Sequence, residues 1–256
     1  MDTMTRHHSH SAPSGGEEPF LDHLEAVFSQ IIGSDRIHRG SAFSQYLYVE
    51  GESDLLLLAH VDRVYTNRRG DPVGVVRSRQ RGDRIIGQLD NVISTATIEL
   101  LVRAGSRPHV IFVTNEEVSR SDESYAAFLH DFPDAEDLTL VVMDIDVAFG
   151  YEREVVKGGK VSLRSFDTYA RYDADTVAWA RKTAEQENVA FHHLDGVWAV
   201  GDLTILTEAG LAEGAFLGIP VTNYHTAAES ATTKAAYGFF RLAAALCADL
   251  CFVGIH

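Results

Sequence analysis

The sequence predicts a three-layer α/β fold, in which helices cover both faces of a mixed, mostly parallel central sheet. Two observations predict it: apolar runs typical of strands alternate with segments of helical periodicity, and residues 55–60 form a continuous apolar run. Alternating strands and helices favour parallel sheets because each helix connects one strand to the next. An unbroken apolar run indicates a central strand that is covered on both faces.

Each element is predicted from a local pattern. Residues 20–32 carry apolar side chains at helical spacing and end at Gly33. Asp90 can cap the helix that follows it, since a short side-chain oxygen accepts hydrogen bonds from first-turn amides. The predicted strands and hairpin arms are 42–49 (an edge strand), 55–60, 73–79 paired with 84–87, 110–113, 138–143, 190–193 and 216–223. The predicted helices are 20–32, 91–104, 122–130, 173–187, 202–210 and 228–251.

Length and composition predict one catalytic domain over residues 20–256. The chain has 256 residues, of which 45% are hydrophobic, enough for a sizeable core. Residues 1–19 are rich in His, Ser, Gly and Thr, so a disordered tail is expected there.

Charge and hydropathy exclude two classes of partner. A formal net charge of −15 and a pI near 5.1 disfavour a nucleic-acid partner, because phosphate binding requires clustered Lys and Arg. No run approaches the ~20 apolar residues of a membrane span, and the N-terminus lacks the apolar segment of a signal peptide. These patterns predict a cytoplasmic enzyme with no membrane partner.

Polar residues with metal-binding chemistry follow the strand-like runs. His60 and Asp62 end the first run, and Asp144 and Asp146 end a later one. The carboxyl ends of parallel strands meet at one edge of a sheet, so these side chains are expected to converge there. His60 and Asp62 share one side of the strand end, where the carboxylate can orient the imidazole. Alone, the pair His60 and Asp62 is typical of a solvent-exposed strand end. For the later run, the pattern is compatible with either Asp144 or Asp146 as the metal ligand.

Glu116 and Glu117 are the most specific of these features. Two adjacent carboxylates at the end of a buried strand repel each other and lose hydration. A cation removes this conflict if one carboxylate binds it and the other remains free to accept a proton. A solvated turn is the alternative interpretation.

Asp90 and His225 complete the set, although each is ambiguous alone. One carboxylate at a strand-to-helix turn can bridge two metal ions, and His225 follows the last predicted strand. Imidazole nitrogens mixed with carboxylate oxygens, without thiolates, suit Zn²⁺, Mn²⁺ or Co²⁺. In combination these motifs predict a metallohydrolase.

The motifs resemble those of the di-zinc aminopeptidase superfamily, over about residues 54–230. The resemblance is carried by His60-Val61-Asp62, Leu89-Asp90-Asn91-Val92-Ile93-Ser94, Glu116-Glu117 and His225-Thr226-Ala227-Ala228-Glu229. The chain departs from the family pattern at Thr95, where Gly is usual, and at Leu203, where a His is usual. The resemblance implies Glu116 as general base, Asp62 as the residue that orients His60, and Asp90 as the bridging ligand. The five metal ligands that it implies for two zinc ions, or Mn²⁺ or Co²⁺, are His60, Asp90, Glu117, Asp144 and His225.

The resemblance also implies a compact branch of the superfamily. The segments between His60 and Asp90, and between Asp144 and His225, are too short for an inserted dimerisation or lid domain. The implied activity is removal of N-terminal residues from small peptides. The alternatives are a deacylase or amidohydrolase for a small non-peptide amide, a single-zinc cyclase, and a catalytically silent scaffold. The residues expected to line the substrate pocket, from their position near His225, are Asp202, Trp198, Tyr224 and Phe216.

Overall fold

The computed structural model of the chain describes residues 2–8, 12–13, 16–40, 45–63, 77–147, 154–167, 170–197 and 201–250. The strands are β1 (Ala12–Pro13), β2 (Ile37–Arg39), β3 (Tyr46–Val49), β4 (Leu55–His60), β5 (Asp62–Arg63), β6 (Arg79–Arg81), β7 (Arg84–Gly87), β8 (His109–Val113), β9 (Thr139–Val147), β10 (Val161–Asp167), β11 (Phe191–Val197), β12 (Gly214–Val221) and β13 (Glu229–Thr232). The helices are α1 (Asp2–His8), α2 (Glu18–Ile32), α3 (Val92–Arg103), α4 (Ser121–Asp131), α5 (Ala174–Gln186), α6 (Asp202–Glu208) and α7 (Thr233–Leu250). Short 3₁₀ turns are Ser34–Arg36, Glu116–Val118 and Pro133–Asp137.

Eight strands form the central sheet in the order β11-β10-β12-β9-β4-β8-β3-β2. The four middle strands, β12, β9, β4 and β8, run parallel to one another. The strands β3 and β2 are added antiparallel at one side, and β10 is antiparallel to β12 at the other. The carboxyl ends of the four parallel strands therefore meet at one edge of the sheet, as the sequence predicts.

The helices divide into two groups that cover the sheet. The helices α2, α3, α7 and α5 contact one another in that order and pack on β3, β4, β9, β10 and β12. The helices α4 and α6 contact each other and pack on β3, β8 and β12. Every residue of β4 is buried, which explains why its sequence is continuously apolar. The predicted mixed three-layer α/β fold is confirmed.

Two predicted strands differ in their surroundings or extent. The strand β3 is not an edge strand, because β2 pairs with its outer side, and residues 41–44 of the predicted strand lie outside the described part. In the predicted hairpin, Arg79–Arg81 pairs with Arg84–Gly87 across the turn at Gly82, while residues 73–76 also lie outside the described part.

The N-terminal residues differ from the expected disordered tail. Residues Asp2–His8 form α1, which packs on α3 and buries the His7 side chain completely. The His7 ring contacts the buried Glu99 through Nε2 at 2.7 Å and Thr95 Oγ1 through Nδ1 at 2.9 Å. Further along, β1 pairs in parallel with β5. The prediction of a disordered tail is based on low apolar content. It does not include the buried polar contacts that hold this segment together with apolar packing.

Among the described residues, no helix combines the length and apolar character needed to cross a membrane.

Candidate metal centre

His60 and Asp144 are brought side by side by the pairing of two parallel strands. Leu58 of β4 is in register with Val142 of β9, so His60 and Asp144, two residues further along each strand, point to the same face. His60 Nε2 lies 3.3 Å from Asp144 Oδ1 and 3.1 Å from Asp90 Oδ1. His60 is fully buried, and Asp90 and Asp144 are also buried. These three residues form the first group, the His60 triad, whose donor atoms lie within 4.8 Å of one another.

A second group, the His225 triad, consists of Asp90, Glu117 and His225. His225 Nε2 lies 3.4 Å from Asp90 Oδ2 and 3.6 Å from Glu117 Oε2. The donor atoms of this triad also lie within 4.8 Å of one another. Asp90 belongs to both triads and directs a different oxygen to each histidine. Each carboxylate oxygen of Asp90 therefore faces one of the two histidines.

Asp62 organises the residues around the His60 triad. Its two carboxylate oxygens accept hydrogen bonds from the backbone N–H groups of Glu116 (3.1 Å) and Glu117 (3.0 Å). One of these oxygens also lies 3.4 Å from His60 Nδ1. Asp62 therefore links the end of β4 to the turn that carries both glutamates, and it directs the Nε2 atom of His60 towards Asp90 and Asp144.

Glu116 lies beside the triads without belonging to either of them. Its Oε2 atom is 4.0 Å from His60 Nε2, and its side chain is only 11% exposed. The 3₁₀ turn Glu116–Val118 lies between Asn115 and Ser119, which both have left-handed backbone angles. The turn ends β8 abruptly and separates the two adjacent glutamates, so that Glu117 reaches His225 while Glu116 stays near His60.

The packing of these acids perturbs their ionisation. Burial raises the pKa of Glu116, Glu117 and Asp144, and neighbouring carboxylates raise each further. Burial opposes ionisation of Asp90 as well, but the adjacent imidazoles of His225 and His60 hold its pKa below the usual range. Burial lowers the pKa of His60, yet Asp144 and Glu116 raise it overall. This concentration of negative charge is what a bound cation stabilises.

The donor set fits divalent metal ions. Among the described residues, buried atoms without a hydrogen-bond partner include Asp90 Oδ1, Glu117 Oε1 and His225 Nε2. Buried polar atoms are rarely left unpaired, so each such atom requires a partner of another kind. All three belong to the two triads, where a divalent metal ion would supply such a partner.

Asp146, the alternative ligand, is engaged elsewhere. Its carboxylate forms an ion pair with the buried Arg164 guanidinium, whose Nε lies 3.3 Å from Oδ2 and whose second contact is through Nη2. Asp146 belongs to neither triad. The structure therefore places Asp144 in the His60 triad and Asp146 in a buried salt bridge.

The residues expected to line the substrate pocket have different surroundings. Phe216 is only 2% exposed and packs beneath the Arg164 guanidinium, 4.4 Å from its ring centre, so it is a core residue rather than a pocket residue. Tyr224 stacks on the His225 ring, with ring centres 3.6 Å apart. Asp202 is fully buried, and burial raises its pKa to about 7. Trp198 lies outside the described residues.

Substitution of the two β9 aspartates by asparagine is expected to give opposite results. Asp144→Asn removes a charged donor from the His60 triad, so the affinity for divalent ions falls while the fold is retained. Asp146→Asn leaves the buried Arg164 without its carboxylate, which lowers the free energy of unfolding by about 3 kcal/mol. Calorimetric metal titration and urea unfolding of both variants test this pair, and a loss of metal confined to Asp146→Asn would contradict the assignment.

Sequence reasoning missed two buried residues, Arg164, which pairs with Asp146, and Glu229, which contacts the triads. Arg164 lies on β10, a strand that the sequence analysis did not predict, because its alternation is broken at Arg164 and Ser165. In the sequence Glu229 stands out only as part of a family-like pattern, yet its carboxylate accepts hydrogen bonds from the backbone of Asp90, which belongs to both triads, and of His225. The position of Glu229, four residues after His225, is the only signal of this role in the sequence.

Comparison with known proteins identifies structures with the same fold. No protein-family model and no curated protein matches the sequence. An aminopeptidase from the archaeon Desulfurococcus kamchatkensis gives a TM-score of 0.76 at 13% identity, covering 100% of this chain and 98% of that one. A TET aminopeptidase from a marine sediment archaeon of the Thaumarchaeota gives a TM-score of 0.78 at 12% identity, covering 100% and 97%. This chain has the aminopeptidase fold.

The aminopeptidase fold is shared by a protein described differently. An endoglucanase from Thermotoga maritima gives a TM-score of 0.66 at 9% identity, covering 95% of this chain and 96% of that one. Identities this low establish the fold alone, and the reaction has to be argued from the site. The predicted resemblance to the di-zinc aminopeptidases is confirmed as a resemblance of fold.

Proposed function

We propose that this protein is a di-metal hydrolase that cleaves amide bonds, and that it removes N-terminal residues from small peptides. The observation that carries the proposal is the pair of triads that share Asp90, because one bridging carboxylate with a histidine on each side is suited to two metal ions. The solved aminopeptidases with this fold support the same reaction class.

Two ions would be held by residues already close to one another. His60 and Asp144 would hold one ion, Glu117 and His225 the other, and Asp90 both. This donor set suits Zn²⁺, Mn²⁺ or Co²⁺. When bound, such ions supply Lewis-acid chemistry: they polarise a carbonyl oxygen and lower the pKa of water.

Glu116 has the position and environment of a general base. It is not needed as a ligand in either triad, and its Oε2 atom lies 4.0 Å from His60 Nε2, within reach of the same space. Glu116 accepts a proton from the attacking water and then donates it to the leaving amine. Asp62 fixes the Glu116 backbone and contacts His60, so that base and ligands keep a constant relative geometry.

The charge of the site favours substrates with a free amine. Carboxylates outnumber imidazoles around Asp90, and Asp202 adds another buried acid close enough to raise the pKa of Glu116 further. Two bound divalent ions would offset the charge of the ligand carboxylates, which leaves the acids outside the ligand set, Glu116 and Asp202, to attract a protonated α-amine. An N-acylated substrate lacks this positive group. The site therefore favours an aminopeptidase over a deacylase, and the complete pair of triads favours two ions over the single zinc of a cyclase.

Metal analysis combined with a substrate panel tests the proposal. Protein purified without chelator or affinity metal is expected to contain close to two divalent ions per chain and to cleave aminoacyl-anilides. If only N-acyl amino acids are cleaved, the activity is that of a deacylase and not of an aminopeptidase. Absence of bound metal, with no activity after addition of Zn²⁺, Mn²⁺ or Co²⁺, would refute the proposal that this protein is an enzyme.

A further inference from the structure

We infer that Glu229 is a positioning residue that holds Asp90 and His225 in place for metal binding, an inference that rests on the proposed function. Glu229 is fully buried and belongs to neither triad. It is therefore not a ligand, and its carboxylate acts on the backbone of the segments that carry the ligands.

The carboxylate of Glu229 accepts three backbone hydrogen bonds from two separate segments. Oε2 accepts from the N–H groups of Leu89 at 2.6 Å and Asp90 at 3.1 Å. Oε1 accepts from the N–H group of His225 at 2.8 Å. One side chain thus joins the turn before α3 to the loop after β12, with one oxygen for each.

Strand pairing places Glu229 between these segments. Glu229 is the first residue of β13 and is in register with Gly87, the last residue of β7. From Gly87 the chain continues through Leu89 to Asp90. Gly87 itself has a positive φ, and a Cβ atom there would lie 2.7 Å from Ser78 Cα, so only glycine allows this approach. The small sheet of β13, β7 and β6 therefore delivers Glu229 to the metal centre.

The backbone of His225 needs this support. His225 has a φ of 58°, a left-handed conformation that non-glycine residues rarely adopt. Such conformations persist at functional sites only where surrounding contacts determine them. The hydrogen bond from the His225 N–H to Glu229 Oε1, four residues further along the chain at the start of β13, is such a contact.

The two metal positions depend on Glu229 unequally. In the His225 triad, Glu229 bonds to the backbone of both Asp90 and His225. In the His60 triad, it bonds to the backbone of Asp90 alone. Loss of the Glu229 carboxylate is therefore expected to weaken the ion held by His225 more than the ion held by His60.

Glu229→Gln tests this inference, because the amide keeps the shape of the side chain but presents an N–H group to one of the backbone donors. Metal-free wild type and variant are titrated with Zn²⁺ in a calorimeter. The wild type is expected to bind two ions, and the variant to bind one of them about 10–100-fold more weakly. The same loss should appear as a rise in the Zn²⁺ concentration needed for half-maximal activity, with kcat at saturating Zn²⁺ changed much less.

Glu99→Gln is the matched control, since Glu99 is an equally buried carboxylate that contacts α1 instead of the metal centre. It is expected to bind both ions as the wild type does. Wild-type affinity for both ions in Glu229→Gln, or an equal loss in Glu99→Gln, would overturn the inference.

If Glu229→Gln does not fold, hydrogen exchange of backbone amides in the wild type tests the inference instead. In the metal-free wild type, the amides of Leu89, Asp90 and His225 are expected to be protected, and rapid exchange of all three would overturn the inference. This measurement also separates two kinds of failure. A wild type that binds no Zn²⁺ refutes the proposed function, whereas protected amides show that Glu229 still holds the two segments.

Discussion

Replacement of Glu116 by glutamine is expected to lower kcat by about 10²–10⁴-fold while both ions remain bound. Glutamine has nearly the same shape as glutamate but cannot accept and return a proton. The substitution leaves both triads intact, because Glu116 belongs to neither. Steady-state kinetics with an aminoacyl-anilide, together with metal analysis of the same sample, test this result.

Glu117→Gln is the matched comparison, since it changes the adjacent side chain in the same way. Glu117 belongs to the His225 triad, so this variant should lose affinity for one ion and recover activity as the metal concentration is raised. Glu116→Gln should not recover. The assignment of base and ligand fails if Glu116→Gln keeps near-normal turnover, or if only Glu116→Gln responds to added metal.

Substitution of Asp90 by alanine is expected to remove both ions at once. Asp90 directs Oδ1 to His60 and Oδ2 to His225, so its removal takes one donor from each triad. Lewis-acid assistance contributes several kcal/mol to such reactions, so turnover should fall by about 10³-fold or more. Metal content after dialysis and activity at micromolar Zn²⁺ measure the effect.

Asp144→Ala provides the comparison for a residue that belongs to one triad only. It should weaken the ion held by His60 and leave the ion held by Glu117 and His225. A stoichiometry of one ion in Asp90→Ala, equal to that of Asp144→Ala, would show that Asp90 does not bridge the two positions.

The strand ends of the central sheet could be predicted from the sequence because a strand buried on both faces requires apolar residues at consecutive positions. Leu55–His60 is buried at every position, and the polar residues that follow such a strand are visible against it. The pair Glu116-Glu117 stands out for the same reason, since charge beside a buried strand is costly. These local signals place His60, Glu116, Glu117 and Asp144 at one edge of the sheet without any knowledge of long-range contacts.

Long-range polar contacts could not be predicted in this way. Arg164 is buried because Asp146, on a neighbouring part of the sheet, neutralises it, and no local pattern shows that pairing. The sequence predicts residues 228–232 as the start of the closing helix, whereas Glu229–Thr232 forms β13 through pairing with β7. His7 is buried by contacts with Glu99, which lies far along the chain. In each case a partner distant in sequence determines the local structure.

The ligands of the proposed centre are scattered along the chain, and this has a consequence for how the protein unfolds. His60, Asp90, Glu117, Asp144 and His225 come from five separate segments, which meet only when the sheet is assembled. An unfolded chain offers no comparable site, so ions that bind only the native state shift the folding equilibrium towards it as their concentration rises. Bound metal ions would therefore act as a removable cross-link between distant parts of the fold, and the supply of metal ions would influence the lifetime of the folded protein.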